Sequence, residues 1–96
     1  MGEEMRGIIT RIREFGIFVQ LEDYLIDGLV RLSTMRDDFY RLDRAGTFVI
    51  GERSRRRLKI GDPVKVIIAS LDFVRREVDL AMLLSPEKQR PEKRRT

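Results

Sequence analysis

Ninety-six residues, 42% of them apolar, suit one small folded domain with a single core and are too few for a large enzyme. With neither cysteine nor histidine, the chain has no disulfides, no thiolate or imidazole metal ligands and no cysteine nucleophile, which leaves carboxylates and hydroxyls for chemistry. The net charge of +4 is concentrated in the last eleven residues, which hold five basic and two acidic side chains, so residues 1–85 are close to neutral and nucleic-acid binding has to be argued from clusters.

The chain opens on MGEEM, which is acidic and is followed by no long apolar run, so no secretory signal is expected and the cytoplasm is the default location. Apolar runs reach four or five residues, too short to span a bilayer. GIITRIRE at 7–14 is rich in β-branched residues and predicts a strand. Its apolar parity changes between Ile9 and Ile12, which predicts a bulge or sharp bend. Phe15-Gly16 then leads into IFVQL, where Ile17, Val19 and Leu21 share one face of a strand. Phe18 and Gln20 share the other, so a phenylalanine points away from the predicted core. A turn at Glu22-Asp23-Tyr24 with Asp27-Gly28 precedes a short strand over 29–32, and Ser33 is expected to cap a helical turn reaching Met35.

Residues 37–62 form an insert too long to be structureless in a small domain. Its apolar islands predict a hairpin pairing 40–43 with 47–51, and a short strand near 57–60. Asp37-Asp38 is expected to be a solvated carboxylate pair in a loop rather than a metal site. Gly61-Asp62-Pro63 is a strong turn, after which Val64, Val66 and Ile68 begin a strand. Phe73 to Arg76 forms the next turn, and Val78, Leu80 and Met82 complete a hairpin. PEKQRPEKRRT at 86–96 is charged, punctuated by proline and expected to be a disordered tail. These elements predict an all-β, five-stranded antiparallel barrel over residues 1–85, because closure removes exposed edges. Pattern alone does not separate an OB-fold from an SH3-like barrel.

The runs GIITRIREFGIFVQL, DGLVRLS and GDPVKVIIASLD, with the Arg75-Arg76 turn before VDL, resemble the S-one RNA-binding domain, an OB-fold module. The insert DDFYRLDRAGTFVIGERSRRRLKIGD, placed between the third and fourth barrel strands, is similar to that of the ribonuclease R branch of the ribonuclease II family of 3′→5′ exoribonucleases. That resemblance implies a single-stranded RNA-binding module with little sequence preference, a monomer at the C-terminal end of a longer nuclease. It also implies a separate catalytic domain as partner, with magnesium bound there and no cofactor in this chain, so that this chain binds and does not cut.

In that family two aromatics, a histidine on the third strand and an aspartate with an arginine at the last hairpin face RNA. The resemblance places these roles on Phe15 and Phe18, on Arg31 in place of the histidine, and on Asp72 and Arg76 with Arg75 adjacent. Stacking on an aromatic suits any base, and a guanidinium can pair with phosphate or stack. Arg11 and Lys65 are candidates to flank the strip. Arg53, Arg55, Arg56, Arg57 and Lys59 put five cations within seven residues, which reads as a rim able to track phosphates or, more plainly, as a solvated hairpin. Two other assignments stay open: an S-one domain of another RNA machine (a translation factor, polynucleotide phosphorylase or a transcription-elongation protein), and a module that docks on an acidic protein or the ribosome.

Overall fold

Two alternating strands begin the chain, β1 (Glu4–Arg13) and β2 (Gly16–Leu21), in a computed structural model that describes residues 3–24 and 26–83. The expected tail at 86–96 lies outside the described residues. β3 (Asp27–Arg31) pairs with β2 and is followed by a single 3-10 turn at Leu32–Thr34. Three short strands form the insert: β4 (Tyr40–Leu42), β5 (Phe48–Gly51) and β6 (Arg57–Lys59). β7 (Pro63–Asp72) and β8 (Glu77–Met82) make the final hairpin, with the turn at Phe73 to Arg76 that the sequence predicts.

β1, β2, β3, β8 and β7 close into a five-stranded barrel in that order. Four of its seams are antiparallel, as expected. The seam that closes the barrel, between β3 and β8, is parallel, with Leu29 opposite Asp79. The insert accounts for this: it carries the chain away from β3 and returns it through β7, so β8 arrives running in the same direction as β3. Closure leaves no barrel edge to recruit another strand.

Ile9, Ile17, Val19, Val30 and Val66 are completely enclosed, with Leu21 and Leu80 nearly so. Each such aliphatic side chain contributes roughly 1.5–3 kcal/mol of transfer free energy, an upper bound because unfolded chains are partly collapsed. The apolar cluster runs without interruption from these barrel residues through Leu32 and Met35 to Tyr40, Val49 and Leu58 of the insert. The insert is therefore packed onto one end of the barrel.

The predicted hairpin of the insert is present, and β6 joins it as a third strand. Two aspartates build its turns. Asp43 accepts from the backbone N–H groups of Ala45, Thr47 and Phe48 at 3.2, 2.6 and 2.9 Å, across the turn where Gly46 takes φ +76°. Asp38 accepts from Phe39, Arg53 and Ser54 N–H at 2.7, 3.1 and 2.7 Å. Asp38 is only 8% exposed, which corrects the expectation of a solvated carboxylate. Its donors, the bond from Ser54 foremost, hold it at about 2. Burial, reinforced by the hydrogen bond its hydroxyl donates to Asp37, pushes the Tyr40 phenol up to about 12. Ser33 also differs from expectation. It lies inside the 3-10 turn, which has no side-chain cap; Thr34 instead donates its hydroxyl back to the Arg31 carbonyl at 2.6 Å.

Candidate nucleic-acid interface

The outward face of the barrel carries one continuous row of side chains. Backbone register puts Arg11 opposite Phe18, Phe18 opposite Leu29, Leu29 opposite Asp79 and Asp79 opposite Ser70. A bulge in β1 creates the first of these pairs. Ile9 pairs with Val19 and Arg11 with Phe18, so Thr10 is an extra residue on β1. Without it, Thr10 would stand opposite Phe18 and Arg11 would point inward. The bulge thus turns Arg11 out over Phe18 while returning Ile12 to the core, and it is the parity change legible in the sequence. A second bulge, at Ala69 in β7, brings Ser70 opposite Asp79, where its hydroxyl donates to the carboxylate at 3.0 Å.

The Phe15 and Phe18 rings meet edge to face, with centroids 6.2 Å apart and planes at 83°. The Arg11 guanidinium carbon lies 4.5 Å from the Phe18 centroid. Such a pair at an exposed site is worth about 0.5–1 kcal/mol, enough to hold the ring's orientation. Phe15 is 52% exposed, which leaves aromatic surface free for a ligand. Gly16 permits this corner through close approach: a Cβ there would lie 2.6 Å from the Val30 carbonyl oxygen and 2.8 Å from a Leu29 methyl.

A cleft of about 380 Å³ opens beside these rings. Of the candidate residues, Arg11, Phe15, Phe18, Arg31 and Arg76 line it. Arg76 stands at its rim on a left-handed backbone, φ +60°, at the end of the β7–β8 turn. Asp72 and Arg75 do not line the cleft. Asp72 instead accepts the Arg75 N–H at 3.1 Å and so shapes the turn that carries Arg76. Lys65 lies elsewhere, beside Arg6, Glu22 and Val64.

The insert cations do not converge on the cleft either. Lys59 pairs with Asp62 at 3.0 Å, and the Arg57 guanidinium lies 4.6 Å from the centre of the Phe48 ring. Arg53 and Arg55 lie in the turn between β5 and β6, where Arg55 takes φ +63°, and the Arg56 N–H is held by Ser54 at 3.2 Å. Sequence reasoning missed Asp27, Leu29, Glu77 and Asp79, which complete the cleft wall. Asp27, Leu29 and Arg31 share the outward face of β3 by alternation, so the period-two pattern held that signal; the β8 carboxylates needed the parallel seam. Three arginines and three carboxylates thus alternate around an aromatic floor: Asp27 and Arg31 share one face of β3, and Arg76 precedes Glu77.

A closed five-stranded barrel whose outer face presents exposed aromatics and arginines over a cleft defines an OB-fold of the nucleic-acid-binding kind. The model of the S1 RNA binding domain matches residues 1–83, and the chain belongs to that family. Ribonuclease R of Escherichia coli is 35% identical over 85 residues, a match covering 88% of this chain and 10% of that protein. Ribonuclease R of Aquifex aeolicus is 39% identical over 88 residues, covering 92% of this chain and 12% of its own length. RNase R of Mycoplasma genitalium, whose structure is known both free and in complex with ribose-methylated single-stranded RNA, superposes with a TM-score of 0.79 at 28% identity. That superposition covers 86% of this chain and 13% of the Mycoplasma protein. The chain therefore spans about a tenth of the length of the curated relatives it matches.

Proposed function

We propose that this domain binds single-stranded RNA in the Phe15–Phe18 cleft, with little preference for base identity, and serves as the RNA-binding module of a longer exoribonuclease of the ribonuclease R type. The observation that carries this is the Arg11–Phe18–Leu29 row: a ring pre-oriented by a guanidinium, half-buried and open to a cleft. A base of any sequence offers a π-face to such a ring, and stacking is worth roughly 1–3 kcal/mol per base. Arg31 and Arg76 flank the floor as phosphate partners, and a guanidinium pairs with phosphate bidentately.

The carboxylates refine the reading. Asp27, Glu77 and Asp79 repel phosphates, so the phosphates of a bound strand sit at the guanidiniums of Arg31 and Arg76. Bases or 2′-hydroxyls, which carry donors, face these carboxylates. That the Mycoplasma RNase R forms a complex with single-stranded RNA supports the choice of ligand. The chain's own part is to hold RNA, while hydrolysis belongs to another part of the longer protein. Titrating oligo(A) and oligo(U) against the wild type and Phe18→Ala tests the proposal: both oligomers bind the wild type and both weaken together in the variant. Unchanged affinity in the variant would remove Phe18 from the site.

A further inference from the structure

A second cleft, of about 560 Å³, lies where the 3-10 turn meets the insert. Its floor is apolar and buried, made by Leu32, Met35 and Tyr40. At its mouth stands Phe39, 75% exposed, with Arg53 and Arg36 beside it. An aromatic this exposed on so small a domain needs a reason, and its backbone supplies none: the chain is pinned there independently of the ring. Asp38 accepts the N–H of both Phe39 and Arg53, at 2.7 and 3.1 Å, and the Phe39 carbonyl accepts from Glu52 N–H at 2.8 Å. One buried carboxylate therefore fixes an aromatic and an arginine side by side at the rim of an open cleft.

The two clefts share no lining residue, but they meet at consecutive positions of the chain. Arg31 lines the Phe18 cleft and the next residue, Leu32, lines the Phe39 cleft. The Leu32 N–H bonds the Phe15 carbonyl at 3.0 Å, so the turn joining the two clefts is anchored to the first aromatic pair. We propose that the Phe39 cleft is a second base-stacking subsite, which takes a later nucleotide of the same single strand after it leaves the Phe18 cleft past Arg31. Phe39 supplies the stacking platform, and Arg53 and Arg36 neutralise the flanking phosphates. Arg36 and Arg53 at the mouth, with Asp38 already committed to three N–H donors and Asp37 to the Tyr40 hydroxyl, suit a polyanion better than an acidic or an apolar protein segment. The inference rests on the Phe18 cleft being an RNA site.

Oligonucleotide length separates the two. OB-fold sites span from about four nucleotides upward, so an oligomer of about four fills the first cleft and one of about ten reaches the second. In the full chain, Phe39→Ala is expected to leave the short oligomer's affinity unchanged and to weaken the long one about tenfold, the loss of one stacked base. Phe18→Ala weakens both. Arg53→Ala, whose backbone bonds to Asp38 persist, should flatten the salt dependence of the long oligomer alone. Equal affinity of wild type and Phe39→Ala for the long oligomer overturns the second subsite while leaving the first intact. Failure of the wild type to bind either oligomer overturns the reading of both clefts.

Discussion

Arg11 and Phe18 are backbone partners across β1 and β2, and the guanidinium carbon of the first lies 4.5 Å from the ring centroid of the second. The pair exists because one extra residue, Thr10, shifts the register of β1. The guanidinium covers one face of the ring, so a base arriving at Phe18 either stacks on the remaining surface or takes the guanidinium's place. In both cases the two side chains act on RNA as a unit.

A double-mutant cycle reads that unity. Phe18→Ala should weaken binding of a short single-stranded RNA by about 1–3 kcal/mol, and Arg11→Ala by less. The double variant should lose less than the sum, because Arg11 loses its position when the ring is gone. Fluorescence anisotropy titrations on the four proteins measure this, and strict additivity would show that the pair does not act together.

Salt dependence distinguishes the arginines. Replacing Arg31 or Arg76 with alanine should lower the magnitude of the log–log slope of affinity against salt by about 0.7 each, the value for one phosphate on a single strand. Lys65→Ala should leave the slope unchanged, because Lys65 lies outside the cleft. A Lys65 effect equal to that of Arg31 would move the RNA path to the other side of the barrel.

Asp38 makes the insert sensitive to acid. Its folded-state value of about 2 lies below the ordinary 3.8, so the charged carboxylate stabilises the fold fully above about 3.8, and that contribution is lost as pH falls towards 2. Asp43 is displaced in the same direction by the N–H groups of its turn, that of Phe48 first. Asp38→Asn should therefore be less stable than the wild type at neutral pH, with the gap narrowing below about pH 4. Chemical denaturation at neutral pH and in that acid window checks this, and a gap that stays constant would contradict it.

Gly16 tests how tightly the aromatic corner is built. With a carbonyl oxygen 2.6 Å from where a Cβ would sit, Gly16→Ala should cost about 1–3 kcal/mol by overpacking. Urea denaturation measures it, and a neutral result would show that β2 and β3 can separate at that end without penalty.

Most of this architecture was legible in the chain. Alternation in IFVQL placed Phe18 outside and Ile17, Val19 and Leu21 inside, as found, and the parity change after Ile9 located the bulge. The parallel closing seam was hidden, because the pairing of β3 with β8 is non-local and no local pattern carries strand direction. Glu77 and Asp79, the β8 carboxylates of the cleft, were hidden for the same reason. The burial of Asp38 was hidden as well. An aspartate beside another aspartate reads as solvated, and its donors at Arg53 and Ser54 lie fifteen and sixteen residues away. The charge run from Arg53 to Lys59 is dense in sequence, but its members take different surroundings that no local pattern carries: Lys59 pairs with Asp62, Arg57 lies against Phe48 and Arg53 lines the Phe39 cleft.

The most direct test of the RNA-binding cleft is an amide chemical-shift titration of the whole chain with a short single-stranded RNA. The largest changes should fall on Arg11, Phe15, Phe18, Leu29, Arg31 and Arg76 and saturate with one affinity. Changes absent from these residues, or centred instead on Lys65 and its neighbours, would contradict the assignment.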